Sequence, residues 1–407
     1  MESEPTLPVG LPHQQTASDR LSRSDPCFQP RLQLRTIGEL CEALPYLMGF
    51  HPDESAVLLR VEETQLVGSL RADLPPEEDD LPYFAREFAA ALPEPGSRTA
   101  SPPPSGAAPE VVVVLCSDPR ASEEGSAQVR RRLAPLAEEL AAACARRGVR
   151  VAEVLGVSGA RCWSFRCDEV ECCPADGNPL GEAGASPVAA AAVYGGLPRP
   201  TPRRSWEKRF APMATQVAIQ QRALETAGAA SRKSGAPTES ADAVDPSVVR
   251  LALRVLRRFL ASPPRLPVPE LADAGDDALL TAEEAAELIV GLQHEALRRR
   301  AADWVGGNLT SAATRLWSAL ARRCVEPYRS LAVPLLALAA WSSWLAGDLT
   351  RARIACGLAL RQEPGYSFAK LVHQACNSAL DAGSFLEPET AAAAPLTSAD
   401  LEEEPRE

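Results

Sequence analysis

The chain has 407 residues, 45% of them hydrophobic, which is enough apolar material for sizeable cores and two folded units plus tails. A net charge of -12 argues against a sequence-independent hold on nucleic acid, because such binding needs basic surface to displace counterions. All but three of the 42 basic residues are arginine, the lysines being Lys208, Lys233 and Lys370, so the arginines reflect composition rather than selection for phosphate.

Residues 1–30 read as a disordered tail without the apolar stretch of a secretory signal, so the chain is expected in the cytoplasm. Residues 35–50 follow as a helix, with capping-box spacing between Thr36 and Glu39, a stripe of Ile37, Leu40, Leu44 and Leu47, and Gly49 as its stop. Pro45 lacks the N–H that would bond back to Cys41, so two short helical pieces are expected there. Residues 55–61 and 65–74 are rich in β-formers and pair naturally as a hairpin. Residues 81–92 return to helical spacing, and the Pro/Gly/Ser-rich stretch 93–109 reads as a flexible loop.

Val111 to Cys116 is apolar without alternation, the pattern of a strand covered on both faces. A helix over 128–147 carries Val129, Leu133, Leu136, Leu140 and Cys144 on one side, with a kink expected at Pro135, and strands follow at 149–157 and 161–166. The order predicts an α/β N-terminal domain over 31–186, a mixed sheet with a β-hairpin and crossover helices.

Strand signals end at residue 186, and helices are predicted at 206–226, 246–261, 281–304, 312–325, 331–346, 350–362 and 367–382. They make an all-α C-terminal helical domain over 187–386, interrupted by a polar flexible stretch at 229–242 and followed by an acidic disordered tail at 387–407. No run reaches the ~20 apolar residues of a membrane span. Ala340, Gly347, Ala352, Ala359 and Pro364 carry the small-residue spacing of one tetratricopeptide-like helical hairpin, with no second copy to build a repeat array.

Common enzyme signatures are missing: there is no G-x-G-x-x-G, P-loop, H-E-x-x-H, G-x-S-x-G or C-x-x-C. Two sets of residues nevertheless merit attention. His51 and Ser55 lie where a helix hands over to a strand, and Ser117 and Asp118 follow the buried strand, at whose carboxyl end open α/β sheets place ligands. Either is also readable as an ordinary turn. Eleven cysteines in a reducing compartment should be free, and Cys41, Cys116, Cys144, Cys356 and Cys376 serve as small hydrophobes.

Four more thiols, Cys162, Cys167, Cys172 and Cys173, fall in one short stretch. On a strand Cys162 points away from Trp163, Phe165 and Cys167, which leaves Cys167, Cys172 and Cys173 in the turn before Pro174. Three thiolates are one short of a closed tetrahedral zinc site, so His51 or Asp168 would have to complete it. Asp168, Glu169 and Glu171 would raise the thiol pKa values and discourage nucleophilic use.

Residues 44–55, Trp163-Ser164-Phe165 with Cys167-Asp168 and Cys172-Cys173-Pro174, Ser186 to Ala190, and 334–366 together resemble the actinobacterial domain of unknown function (DUF4192) family over roughly residues 34–382. The resemblance implies an actinobacterial, cytoplasmic protein with no established activity and transfers no catalytic residues. It also implies that the positions of Cys167, Cys172, Cys173 and Gly177 are family features, whereas family members usually carry another residue at Cys162. The leading expectation is a non-catalytic protein-interaction or regulatory protein with a protein partner on its helical half. The alternatives are an enzyme or small-ligand-binding protein using His51, Ser55, Ser117 and Asp118, and a zinc-binding protein using the three thiols.

Overall fold

A run of β-branched residues alternating between two covered faces dictates the centre of the molecule. In the computed structural model, which describes residues 34–377 apart from 63–64, 76, 93–109, 120–123, 182–184, 196, 198, 234–244 and 264–267, Glu110–Cys116 lies inside a six-stranded mixed sheet. The predicted loop 93–109 and both predicted tails fall outside the described residues.

The elements of the first half are α1 (Ile37–Met48), β1 (Phe50–His51), β2 (Ser55–Glu62), β3 (Gln65–Asp73), α2 (Leu81–Ala90), β4 (Glu110–Cys116), α3 (Ser126–Arg146), β5 (Arg150–Ser158), β6 (Arg161–Ser164) and β7 (Asn178–Pro179). The sheet runs β3-β2-β4-β5-β6-β7. Its hairpin is the predicted one, and β4 and β5 are the parallel pair, joined through α3, while the other pairings are antiparallel. Val111, Val113 and Leu115 face α2 and α3, whereas Val112, Val114 and Cys116 face α1 and the helical half.

Helix α1 departs from expectation by running unbroken through Pro45. The proline sits in the last turn, so its missing N–H removes a single bond, to the Cys41 carbonyl, and the Gly49 stop at φ 79° comes just beyond. Pro135 likewise lies inside a continuous α3.

The second half comprises α4 (Pro187–Tyr194), β8 (Thr201–Pro202), α5 (Arg203–Lys208), α6 (Val217–Lys233), α7 (Pro246–Ala261), α8 (Pro269–Asp277), α9 (Ala282–Gly291), α10 (Glu295–Ala302), α11 (Gly307–Arg322), α12 (Ala332–Leu345), α13 (Leu349–Gln362) and α14 (Ser367–Asn377). The predicted helix 206–226 is two, separated around Pro212, and 281–304 is two, separated at Leu292–His294. Residues 229–233, expected in a flexible stretch, extend α6. Three two-residue strands appear where none was expected: β7 at the edge of the large sheet, and β1 and β8, which pair in parallel with Phe50 opposite Thr201 and His51 opposite Pro202.

The boundary near residue 186 is crossed by one continuous hydrophobic core. Val57, Leu59, Val114 and Leu155 of the sheet join Trp304, Trp317, Leu335 and Trp344 of the helices, with the Trp304 and Trp317 rings stacked 5.5 Å apart. Arg353 ties the halves further, donating from α13 to the Leu47 carbonyl (3.4 Å), Ser69 Oγ (3.2 Å), the Cys376 carbonyl (3.1 Å) and Asn377 Oδ1 (3.2 Å). Among the described residues, no helix is long and apolar enough to cross a membrane.

Candidate functional site

The carboxyl ends of β4 and β5, the end of α1 and the β1–β8 staple meet around one cavity of about 460 Å³. Its polar groups come from five places in the chain: Glu42, His51 with Asp53, Ser117 with Asp118, Ser186, and Arg199. Its apolar wall includes Leu44, Pro45, Tyr46, Val157 and Leu180. Three of the four predicted pocket residues, His51, Ser117 and Asp118, therefore line one space.

Ser55 is placed differently. It is fully buried on β2, donating from Oγ to the Asp53 carbonyl (2.6 Å) and accepting from Arg71 Nε (2.8 Å). Both hydroxyl roles are taken, so Ser55 shapes the turn that presents His51 and Asp53 and is not a wall of the cavity.

Glu54 holds the strand ends together. It adopts φ 43°, a left-handed conformation that non-glycine residues take at a cost, and its Oε1 accepts from Ser117 Oγ (2.7 Å) and the Asp118 N–H (2.9 Å). Arg132 of α3 adds bonds to Ser117 Oγ (3.1 Å) and the Asp118 carbonyl (3.2 Å), and Asp118 Oδ1 accepts from the Gly159 N–H (3.3 Å). The serine and the aspartate are thus fixed from two sides before any ligand arrives. Glu42 is oriented by the Gly181 N–H at 2.8 Å.

Burial, followed by the nearby Asp118 carboxylate, pushes the Asp53 carboxyl up from its ordinary range. Beside this acidic end lie two thiols. Burial drives Cys116 up to about 12, which leaves it a neutral wall. Cys41 hydrogen-bonds with Cys162 across the α1–β6 contact. That bond and burial hold Cys41 well above the ordinary thiol value, while the Cys41 S–H favours the thiolate of Cys162.

On the opposite flank, as the alternation along β6 required, Cys162 faces the α1 side of the sheet and Trp163 the α2–α3 side. The three remaining thiols come together, with the sulfurs of Cys167, Cys172 and Cys173 all within 4.8 Å of one another. Cys167 is half-buried, Cys172 exposed and Cys173 buried. Among the described residues neither His51 nor Asp168 joins this set. Bonding first with Cys167 and then with Cys173 pushes the Cys172 thiol up to about 11.

A family model described as domain of unknown function (DUF4192) matches residues 38–382. The chain belongs to the DUF4192 family. No curated protein and no solved structure matches it. The DUF4192 match covers every wall of the cavity and all three clustered thiols, so both features lie within the family's own domain.

Several residues of this DUF4192 site escape a sequence reading. Asp53 and Glu54 stand beside His51 in the sequence as two carboxylates of the same turn, whereas Glu42, Arg199 and the bracing Arg132 acquire their positions only through long-range contacts. Glu42 carries no local signal, because it lies on the face of the helix opposite Ile37, Leu40, Leu44 and Leu47.

Proposed function

We propose that this chain binds a small molecule bearing a hydrogen-bond-donating, preferably cationic, head and an apolar body, in the cavity between α1 and the carboxyl ends of β4 and β5. The observation that carries the reading is the convergence of three carboxylates, Glu42, Asp53 and Asp118, against one guanidinium, Arg199, on a space of about 460 Å³ whose other walls are mostly apolar. That volume falls within the range of small-molecule sites, and a largely apolar concavity with a few fixed polar groups is their usual make-up. The braced Ser117 and Asp118 give the preorganisation that lowers the cost of binding. His51 at the same wall adds an imidazole, whose ring nitrogens can donate or accept a hydrogen bond.

A protein-interaction role for the helical half draws less support. Ala340, Ala352 and Ala359, the small positions of the tetratricopeptide-like spacing, are buried between packed helices, and the spacing occurs once where a docking array needs about three copies.

The test is a ligand-observed NMR screen of primary amines, polyols and carboxylic acids against the full chain. Amines and polyols should bind in preference to acids. Asp53→Asn should weaken the amines about tenfold, the loss of one charge-assisted hydrogen bond. Ala160→Trp, placed at an exposed lining position, should block the whole set. Binding that ignores Ala160→Trp, or that favours the acids, would refute the reading.

A further inference from the structure

The thiol turn that follows β6 is separate from the cavity, and its construction points to a ligand of another kind. Three features of its geometry bear on this. The backbone is curled so that the thiols converge: the N–H groups of Cys172 (3.1 Å) and Cys173 (2.7 Å) both donate to the Glu169 carbonyl. The exit of the turn is set by Gly177 at φ 77°, whose N–H bonds the Pro174 carbonyl at 2.8 Å, and a Cβ there would meet the Cys162 carbonyl oxygen at 2.8 Å. Only glycine fits comfortably in that conformation and that space.

Neighbouring elements then clamp the turn. Arg130 of α3 donates to the carbonyls of Ser164 (3.1 Å), Cys167 (3.4 Å) and Pro174 (3.5 Å), bridging both ends, and Asn178 Nδ2 holds the Cys172 carbonyl at 2.7 Å. The guanidinium also brings one positive charge to the backbone of the turn. One divalent cation on three thiolates would leave one net negative charge, and Arg130, bonded to the Cys167 carbonyl, is a cation tied to the same turn.

We propose that Cys167, Cys172 and Cys173 form a three-thiolate zinc site whose fourth coordination position opens to solvent and accepts an exchangeable ligand. The sulfurs lie within 4.8 Å of one another. Zinc–sulfur bonds of about 2.3 Å in a tetrahedron put sulfurs about 3.8 Å apart, so rotamer adjustments that draw them together by about 1 Å close the site. An odd number of thiols is a poor design for disulfides, since any pair leaves one behind. Soft thiolate donors favour zinc over magnesium or calcium. The open position follows from the donor set. Among the described residues it stops at three sulfurs, and Cys172 is exposed while Cys173 is buried, so the metal would sit with its free side outward. Closed structural sites use four protein ligands, whereas three ligands with an open position are the arrangement of sites that exchange or activate what they bind.

The test titrates cobalt(II) into the full chain, purified without oxygen in a phosphine reductant, and reads sulfur-to-cobalt charge transfer together with the visible d–d bands. One equivalent should give both, with d–d intensity of a four-coordinate site, and zinc should displace the cobalt. Cys167→Ser and Cys172→Ser, at half-buried and exposed positions, should each weaken cobalt binding by about tenfold or more and lower the charge-transfer intensity. Cys144→Ser, a buried thiol outside the turn, should change neither. Added imidazole should shift the d–d bands by taking the fourth position. Absence of charge transfer in the wild type, or its full persistence in both variants, would overturn the site. Bands unmoved by imidazole would overturn the open position. Cys173→Ser is less informative because Cys173 is buried in the fold.

Discussion

His373 makes the stability of the helical half sensitive to acid in a way that can be worked out from its surroundings. Its ring nitrogens lie 3.3 Å from Asn377 Nδ2, and Asn377 Oδ1 is already committed to Arg353 Nε at 3.2 Å. The amide therefore presents N–H to the imidazole, which must accept, and a protonated ring has nothing to accept with. Burial, and then the Arg353 guanidinium, lower the His373 pKa from 6.5 to about 4. Between those values the unfolded chain takes up a proton that the folded chain refuses. Stability from this group is thus complete above pH 6.5 and declines as the pH falls towards 4. At 1.36 kcal/mol per pKa unit the loss is about 3 kcal/mol, reduced towards about 2 kcal/mol because solvent reaches part of the ring. Urea unfolding of the wild type and His373→Gln at pH 7 and pH 4.5 measures it. Other carboxylates titrate in both proteins, so only the difference between the two pH dependences counts. Between those pH values the wild type should lose more stability than His373→Gln does, by about 1.5 kcal/mol or more, a large part of the full shift. Parallel losses in the two proteins would refute the reasoning.

Two further perturbations test the packing. Gly156 of β5 lies directly under the Trp163 indole, its cross-strand partner, so Gly156→Ala should destabilise by about 1–3 kcal/mol through overpacking; in a Trp163→Phe background the same substitution should cost less, and equal costs by equilibrium unfolding would refute the contact. Arg315 donates from Nε (2.9 Å) and Nη2 (2.5 Å) to Asp276 Oδ1, and Asp276 is 4% exposed, so Arg315→Met should cost about 3–5 kcal/mol by stranding a buried carboxylate. Adding Asp276→Leu should recover most of that loss in a thermal or urea melt, and a single-variant cost below about 1 kcal/mol would contradict the assignment.

What could be read from the sequence follows the range of the forces involved. The capping boxes at Thr36–Glu39 and Thr281–Glu284 are local bonds, visible in local spacing and present as expected. The apolar run 111–116 announced a strand covered on both faces, because its burial depends on its own side chains. Helix α8 escapes such a reading for the converse reason. Asp273, Asp276 and Asp277 make it look like a polar linker, and only the pairing with Arg209, Arg315 and Arg322, distant in sequence, explains why it is helical and partly buried. The candidate site divides the same way: His51, Ser117 and Asp118 stood out at element ends, and the turn thiols stood out by density. The positions of Glu42 and Arg199 in the cavity wall depend on the β1–β8 pairing and the Gly181 contact, which no local pattern announces.

The core that runs across residue 186 has a bearing on how this chain can change over generations. A sheet with Val57, Leu59, Val114 and Leu155 bare on one face would aggregate, and the helices would be left with a matching apolar face of their own. Neither half can be passed to another gene as a cassette or replaced by an unrelated module. Insertions and losses should instead collect in the outer connections, while the two halves accumulate substitutions as a matched set, each constraining the other's repertoire.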